Sequence, residues 1–288
     1  FPYTTLFRSW LAKKGGWEWA GATEAFTRFT RTVYGFAGEY VTDWVTLNEP
    51  VIYALNGYVA GVFPPGEKRE IGDVAPVFIG GLKAHAEAYH LLHAMARAAS
   101  RPIRVGIAHS VRTFDPWNRT SPLDIYAAER SDAIWNWAIP SAVETGKLSM
   151  HLLWFVNVEK TIPKLKGTQD FLGLNYYSGD LMQFSWKTGL VARGRKNIPR
   201  SDMGWDIYPK GLTRLLKKVH QRFPRHSILI TENGVADAND SQRPDFLVNH
   251  LRAVQEARAA GVPASPRAPG DGGTEAMRAA AHERARAK

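Results

Sequence analysis

The sequence predicts a parallel α/β fold of the (β/α) barrel kind, and two observations carry that reading. Apolar, β-branched runs of strand length alternate along the chain with stretches of helical periodicity, the pattern of successive βα units. Two of those runs also end in a carboxylate, in Thr46-Leu47-Asn48-Glu49-Pro50 and in Ile230-Thr231-Glu232-Asn233-Gly234. A glutamate placed directly after a buried strand sits at its C-terminal mouth, where barrels bring distant strand ends onto one cavity.

Residues 21 to 36 set Ala22, Ala25, Phe26, Phe29, Val33 and Phe36 on one helical face, and Gly35 and Gly38 supply stop signals. Val41 to Leu47 (VTDWVTL) reads as the first strand because its β-branched residues suit a pleated surface. The Gly and Pro density of Asn56 to Gly66 (NGYVAGVFPPG) predicts a loop without regular structure. A long helix follows over Pro76 to Ala99, then a strand over Arg104 to His109, a helix over Pro122 to Trp137 and a strand over Gln169 to Tyr177. Tyr208 to Phe223 is helical, with Leu212, Leu215, Leu216 and Val219 on one face and Arg214, Lys217, Lys218 and Arg222 on the other. Ser227 to Thr231 is the fourth strand and Asp245 to Ala260 the last helix. Four strands make half of an eight-stranded barrel.

With 288 residues, 44% of them hydrophobic, the chain can bury a large core and is not disordered by composition. Cysteine is absent, which excludes a disulfide framework, a thiolate nucleophile and a cysteine-based metal site. Most of the ten tryptophans are expected in a core, although flat indole faces also suit the apolar C–H faces of sugars. The net charge of +10 concentrates in Lys187 to Arg225, where eleven Lys and Arg face only Asp202 and Asp206. A solvated helix face accounts for part of that run, so it argues weakly for nucleic acid. No apolar run reaches membrane-spanning length. The compartment stays open; the lack of a signal-like N-terminus favours the cytoplasm, though the chain starts at Phe1 without a methionine.

Two carboxylates at one mouth point to glycoside hydrolysis. Other site chemistries are poorly supported. His85-Ala86-Glu87 has the spacing of a deaminase H-x-E, which needs cysteine ligands that the chain lacks. His90 and His93 stand one helical turn apart without further ligands, so no metal is expected. There is no phosphate-cradling glycine loop and no serine elbow, and no cofactor is expected.

The two carboxylate peptides resemble the T-[LIF]-N-E-P and [IV]-T-E-N-G hallmarks of glycoside hydrolase family 1, the retaining β-glucosidase and β-galactosidase family. Trp10 to Trp17, Gly57-Tyr58 with Phe63 to Gly66, Gly173 to Tyr177 and Gly204-Trp205 to Gly211-Leu212 resemble further family segments in the same order. The likeness runs from about Trp10 to Val262. It implies a (β/α)8 TIM barrel represented by strands four to seven, apparently truncated, with the first three strands and the eighth absent.

The resemblance implies that Glu49 is the general acid/base and Glu232 the nucleophile. Like charges so close raise the cost of ionising both, so Glu49 is expected to be raised in pKa and protonated while Glu232 stays ionised. By the same resemblance Asn48 binds the sugar 2-hydroxyl, Asn175 makes a neighbouring polar contact, and Tyr177 donates to the nucleophile. Trp205 is expected in the core or the wall. Val51 stands where many relatives have a leaving-group-site tryptophan. The expected substrate is a β-glycoside or oligosaccharide, with no nucleic acid or membrane partner; sugar preference and oligomeric state are not legible.

Three regions are expected: a non-native leader at 1–9, whose FPYTTLFRS matches a translated sequencing adapter, a partial barrel domain at 10–263, and a disordered or out-of-frame tail at 264–288 with eight Ala, four Arg and no aromatic. The rival functional reading is an inactive or sugar-binding-only fragment. Half a barrel would leave sheet edges and apolar surface uncovered.

Overall fold

The structure is a computed structural model that describes residues 10–152 and 156–265. In chain order its elements are helix α1 (Ala22–Ala37), strand β1 (Asp43–Asn48), helices α2 (Pro50–Ala54) and α3 (Ala75–Ala98), and strand β2 (Arg104–Pro116). Helices α4 (Pro122–Asp132) and α5 (Ala138–Thr145) follow, then strands β3 (Lys147–Leu152), β4 (Val156–Thr161), β5 (Phe171–Ser185) and β6 (Gly189–Arg193). Helix α6 (Pro209–Arg222), strand β7 (Ser227–Glu232), helix α7 (Arg243–Ala259) and strand β8 (Ala264–Ser265) complete the series.

Strands β1, β2, β5, β7 and β8 lie side by side in that order and run parallel. Their alternation divides the sheet into two faces. On β2, Val105 packs with Tyr34, Leu92 and Ala96 under the helices, while Gly106, Ala108, Ser110 and Arg112 share the other face. Close approach of β2 to β5 depends on Gly106, where a Cβ would lie 2.6 Å from the carbonyl oxygen of Phe171. On β5 and β7, Leu172, Leu174, Tyr176 and Ile228 pack against Leu212, Leu215, Leu216 and Val219 of α6 and Ala253, Val254 and Ala257 of α7. Burying each large aliphatic side chain there contributes roughly 1.5–3 kcal/mol. A second cluster joins Leu47, Val77, Phe78, Leu82 and Ile107 to Ile139, Val143, Leu148 and Met150.

Each predicted strand and helix is present, with several differences. Strands β2 and β5 run past His109 and Tyr177 to Pro116 and Ser185, because their C-terminal halves pair with each other and β5 with the antiparallel β6. The expected loop at 56–66 begins as helix: α2 continues through a wider turn at Leu55–Val59, with Gly57 and Tyr58 buried inside it. The antiparallel pair β3 and β4 was not predicted. Its Leu148, Met150 and Leu152 alternate inward beneath α5, so the signal was present but short. One more parallel strand than predicted is present, since Ala264 and Ser265 pair with Ile228 and Leu229 and Ala264 is buried. The tail expected from residue 264 therefore begins with two strand residues, and the leader expected at 1–9 and the rest of that tail, 266–288, lie outside the described residues.

The basic face of α6 is exposed, as expected, and two of its four cations are also ion-paired. Arg214 reaches Asp115 at 2.7 Å and Lys218 reaches Asp132 at 2.6 Å. Among the described residues no helix is long and apolar enough to cross a membrane.

Candidate active site

Strand β1 stops at Asn48 because Glu49 takes a left-handed backbone, φ 47° and ψ 57°, and Pro50 opens α2 with its φ already set for a helix. A non-glycine residue held there stores about 1–3 kcal/mol, which the surroundings must offset. The Glu49 N–H donates to the carbonyl of Ala108 at 2.7 Å, tying the end of β1 to the parallel strand β2. At the other end of the sheet, β7 stops at Glu232, which stands opposite Asn175 of β5 after a register shift between Leu174 and Asn175. Both glutamates therefore end parallel strands on the same side of the sheet, as the sequence predicted.

Asn175 links them. Its Nδ2 donates to Asn48 Oδ1 and to Glu49 Oε1, each at 3.1 Å, and its Oδ1 accepts from Thr231 Oγ1 at 2.5 Å. With only 1% of its surface exposed, Asn175 positions its neighbours. Asn48 Oδ1 accepts this bond, so the Asn48 amide is held in place by Asn175. Tyr177, on the same face of β5 one period further on, donates its hydroxyl to Glu232 Oε2 at 2.6 Å. The following residue, Asn233, is tied back to the Tyr176 carbonyl at 2.6 Å and stops the β7 end from swinging.

The Glu49 carboxyl is pushed above the ordinary glutamate value of 4.5, first by burial and further by the Glu232 charge. Hydrogen bonds from Asn175 and Ser110 and the charge of Arg112 pull the other way without prevailing. The Tyr177 hydroxyl is raised by burial, then by its bond to Glu232, so it remains a donor. Repulsion from Glu232 on Glu49, and from both glutamates on Tyr177, places the two carboxylates in one electrostatic neighbourhood.

Ser110 and Arg112 were missed in the sequence. The predicted strand ended at His109, whereas period-two alternation of small or polar Gly106, Ala108, Ser110 and Arg112 against apolar Val105, Ile107 and Val111 would have carried it further. Trp205 forms part of the wall, 39% exposed and edge-on to Tyr177 with ring centroids 6.0 Å apart. The histidines serve structure. His85 is buried between Thr46 Oγ1 at 2.6 Å and the Thr168 carbonyl at 2.7 Å, and burial lowers its pKa to about 4. His93 pairs with Asp170 at 2.8 Å, and His90 contacts the Lys164 carbonyl at 3.0 Å. Among the described residues no group of three or more His, Cys, Asp or Glu side chains could hold a metal ion.

Comparison with known proteins agrees with this geometry. The sequence model of glycosyl hydrolase family 1 matches residues 2–265. A 1,4-beta-D-glucan glucohydrolase from Thermotoga neapolitana is 28% identical over 294 residues, covering 91% of this chain and 65% of that protein. A 6-phospho-beta-galactosidase from Staphylococcus haemolyticus is 30% identical over 265 residues, covering 76% of this chain and 56% of its own length. The solved beta-glucosidase from Thermotoga maritima in complex with glucoimidazole superposes with a TM-score of 0.79 at 28% identity, over 88% of this chain and 60% of that one. The chain thus spans between 56% and 65% of the lengths of these relatives.

Proposed function

The chain belongs to glycosyl hydrolase family 1, and from that premise we propose that it acts as a retaining β-glycosidase of the β-glucosidase type. The observation that carries the reading is the pair of differently supported glutamates, one half-buried and raised in pKa, the other holding a tyrosine hydroxyl at 2.6 Å. In a retaining site two such carboxyls stand roughly 5 to 5.5 Å apart and divide the work.

A Glu232 oxygen attacks the anomeric carbon while the bond from that carbon to the leaving oxygen breaks. The protonated Glu49 gives its proton to that oxygen. The glycosyl ester neutralises Glu232, which relieves the repulsion on Glu49 and makes it a competent base. Glu49 then takes a proton from water as the water oxygen attacks the same carbon, and Glu232 leaves as a carboxylate. Asn48, with its carbonyl side anchored by Asn175, donates to the sugar 2-hydroxyl, a bond that strengthens as positive charge develops on the ring. Tyr177 aims Glu232 and stabilises its charge.

The test is hydrolysis of a 4-nitrophenyl β-glycoside by the whole chain, with the Glu232→Ala variant alongside. Turnover that disappears in the variant supports the proposal; equal turnover in both overturns it. A second reading, a sugar-binding remnant without turnover, draws on the outer edge of β1, which pairs with no strand among the described residues, and the adjoining cavity of roughly 520 Å³ lined by Trp17, Phe26, Leu47, Tyr53, Val77 and Leu82. Saturable binding of a β-glucoside together with undetectable hydrolysis would select it.

A further inference from the structure

We propose that Arg112 is a specificity-determining residue on the leaving-group side of the site, favouring β-glycosides whose aglycone is an aromatic ring bearing an anionic group such as a carboxylate. The inference rests on the glycosidase reading above and adds a leaving-group preference to it.

Position along β2 supplies the first argument. Ser110 lies close enough to the Glu49 carboxyl to favour its ionised form, and Arg112 is the next residue on the same face, about 6.6 Å further toward the C-terminal, outer end of the strand at a rise of about 3.3 Å per residue. Its charge acts on the Glu49 carboxyl, so a leaving group held against Glu49 as it delivers its proton would meet the guanidinium on the outer side.

The surroundings of the side chain supply the second argument. The guanidinium carbon lies 5.9 Å from the Trp135 ring centroid and 5.5 Å from that of Trp205. Nε faces Asp180 Oδ2 at 3.3 Å, and the terminal nitrogens donate to no side chain or carbonyl among the described residues. The side chain remains 22% exposed, so it is held in place with its donor edge still open. Trp205, edge-on to Tyr177 and partly exposed, offers a surface for a planar aglycone beside that edge.

Charge supplies the third. Around this wall Arg112, Arg195, Arg200 and Arg214 face three carboxylates, those of Asp115, Asp180 and Asp206. Asp115 is shared by Arg195 and Arg214, and Asp206 by Arg195 and Arg200, which leaves Asp180 as the one carboxylate paired with Arg112. Burial pushes the Asp180 carboxyl up, so it balances the guanidinium incompletely. Glu49, protonated when the first step begins, does not balance it either. An aryl carboxylate would restore neutrality through a charge-assisted bond to the open edge.

Calorimetric binding of two sulfur-linked, hydrolysis-resistant ligands to the full chain tests this: 4-carboxyphenyl 1-thio-β-D-glucoside and its neutral methyl ester. The expected result is roughly tenfold tighter binding of the carboxylate, a preference that shrinks as salt is added and disappears in Arg112→Met. Asp180→Asn, which removes the one acidic partner, should widen the preference. Equal binding of both ligands, or a preference unchanged in Arg112→Met, overturns the inference and leaves the glycosidase reading standing. Failure of both ligands to bind would overturn the two together.

Discussion

The Tyr177 hydroxyl and the Glu232 carboxylate meet at 2.6 Å across two adjacent parallel strands, β5 and β7. Glu232 ends its strand, and Tyr177 lies one side-chain period beyond Asn175, the residue paired with Glu232. The bond thus follows from register, and anything that slips β7 against β5 would separate donor from acceptor.

Tyr177→Phe removes that donor while keeping the ring against Trp205. A hydrogen bond to a charged group contributes about 1.5–3 kcal/mol, so kcat/KM for an aryl β-glucoside should fall roughly 10- to 100-fold. Steady-state kinetics beside thermal melting separates this from unfolding: a loss of activity with Tm nearly unchanged is the expected outcome.

Asn175→Asp exchanges a donor to Glu49 for a second carboxylate at the same place. Losing the bond and gaining a like charge both disfavour ionised Glu49, so the apparent pKa of the alkaline limb of the pH–rate profile should move up. A limb that stays put or moves to lower pH would show that Asn175 does not govern the acid/base.

Glu49 also ties stability to pH. Its folded-state pKa lies above the unfolded value, so the folded protein binds the extra proton within that window and loses stability as pH rises through it. Glu49→Gln keeps an acceptor for Asn175 and removes the half-buried charge. Its Tm should exceed the parent's at neutral pH and match it below about pH 4, where glutamates are protonated in either state. Thermal melts across that range decide the matter.

Asp170 closes the opposite end of the sheet, accepting from Tyr89 at 2.8 Å, His93 at 2.8 Å and the Val105 N–H at 2.7 Å. Asp170→Ala leaves three donors without that acceptor and should cost about 2–4 kcal/mol in a denaturant titration, given what unmade bonds to charged groups cost. Loss below half a kilocalorie would mean that solvent replaces it.

Local signals were the most legible in this sequence. The helical spacing of Leu212, Leu215, Leu216 and Val219 reports burial on one face of one element, and the structure places it there. The β-branched runs before Glu49 and Glu232 form strands as predicted but are less buried than expected, since only Leu47 and Ile228 in them are buried and Val45 is exposed. The candidate site residues Asn48, Glu49, Asn175, Tyr177 and Glu232 come together for the same reason, since all lie at the outer ends of parallel strands. What escaped was set by distant partners. The strand β6 exists because β5 extends to receive it, and the β3 and β4 pair lies against helix α5 rather than in the main sheet. Arg112 looks like any surface arginine until Asp180, Trp135 and Trp205 are placed around it.

Trapping of the covalent intermediate tests the central claim most directly. A 2-deoxy-2-fluoro-β-glucoside with a dinitrophenolate leaving group slows both steps but lets the first proceed, so the sugar accumulates on the nucleophile. Intact mass spectrometry followed by peptide mapping should find a single fluoroglucosyl group on the peptide containing Glu232, absent in Glu232→Ala. An unmodified chain, or a label on any other residue, would contradict the assignment of Glu232 as nucleophile.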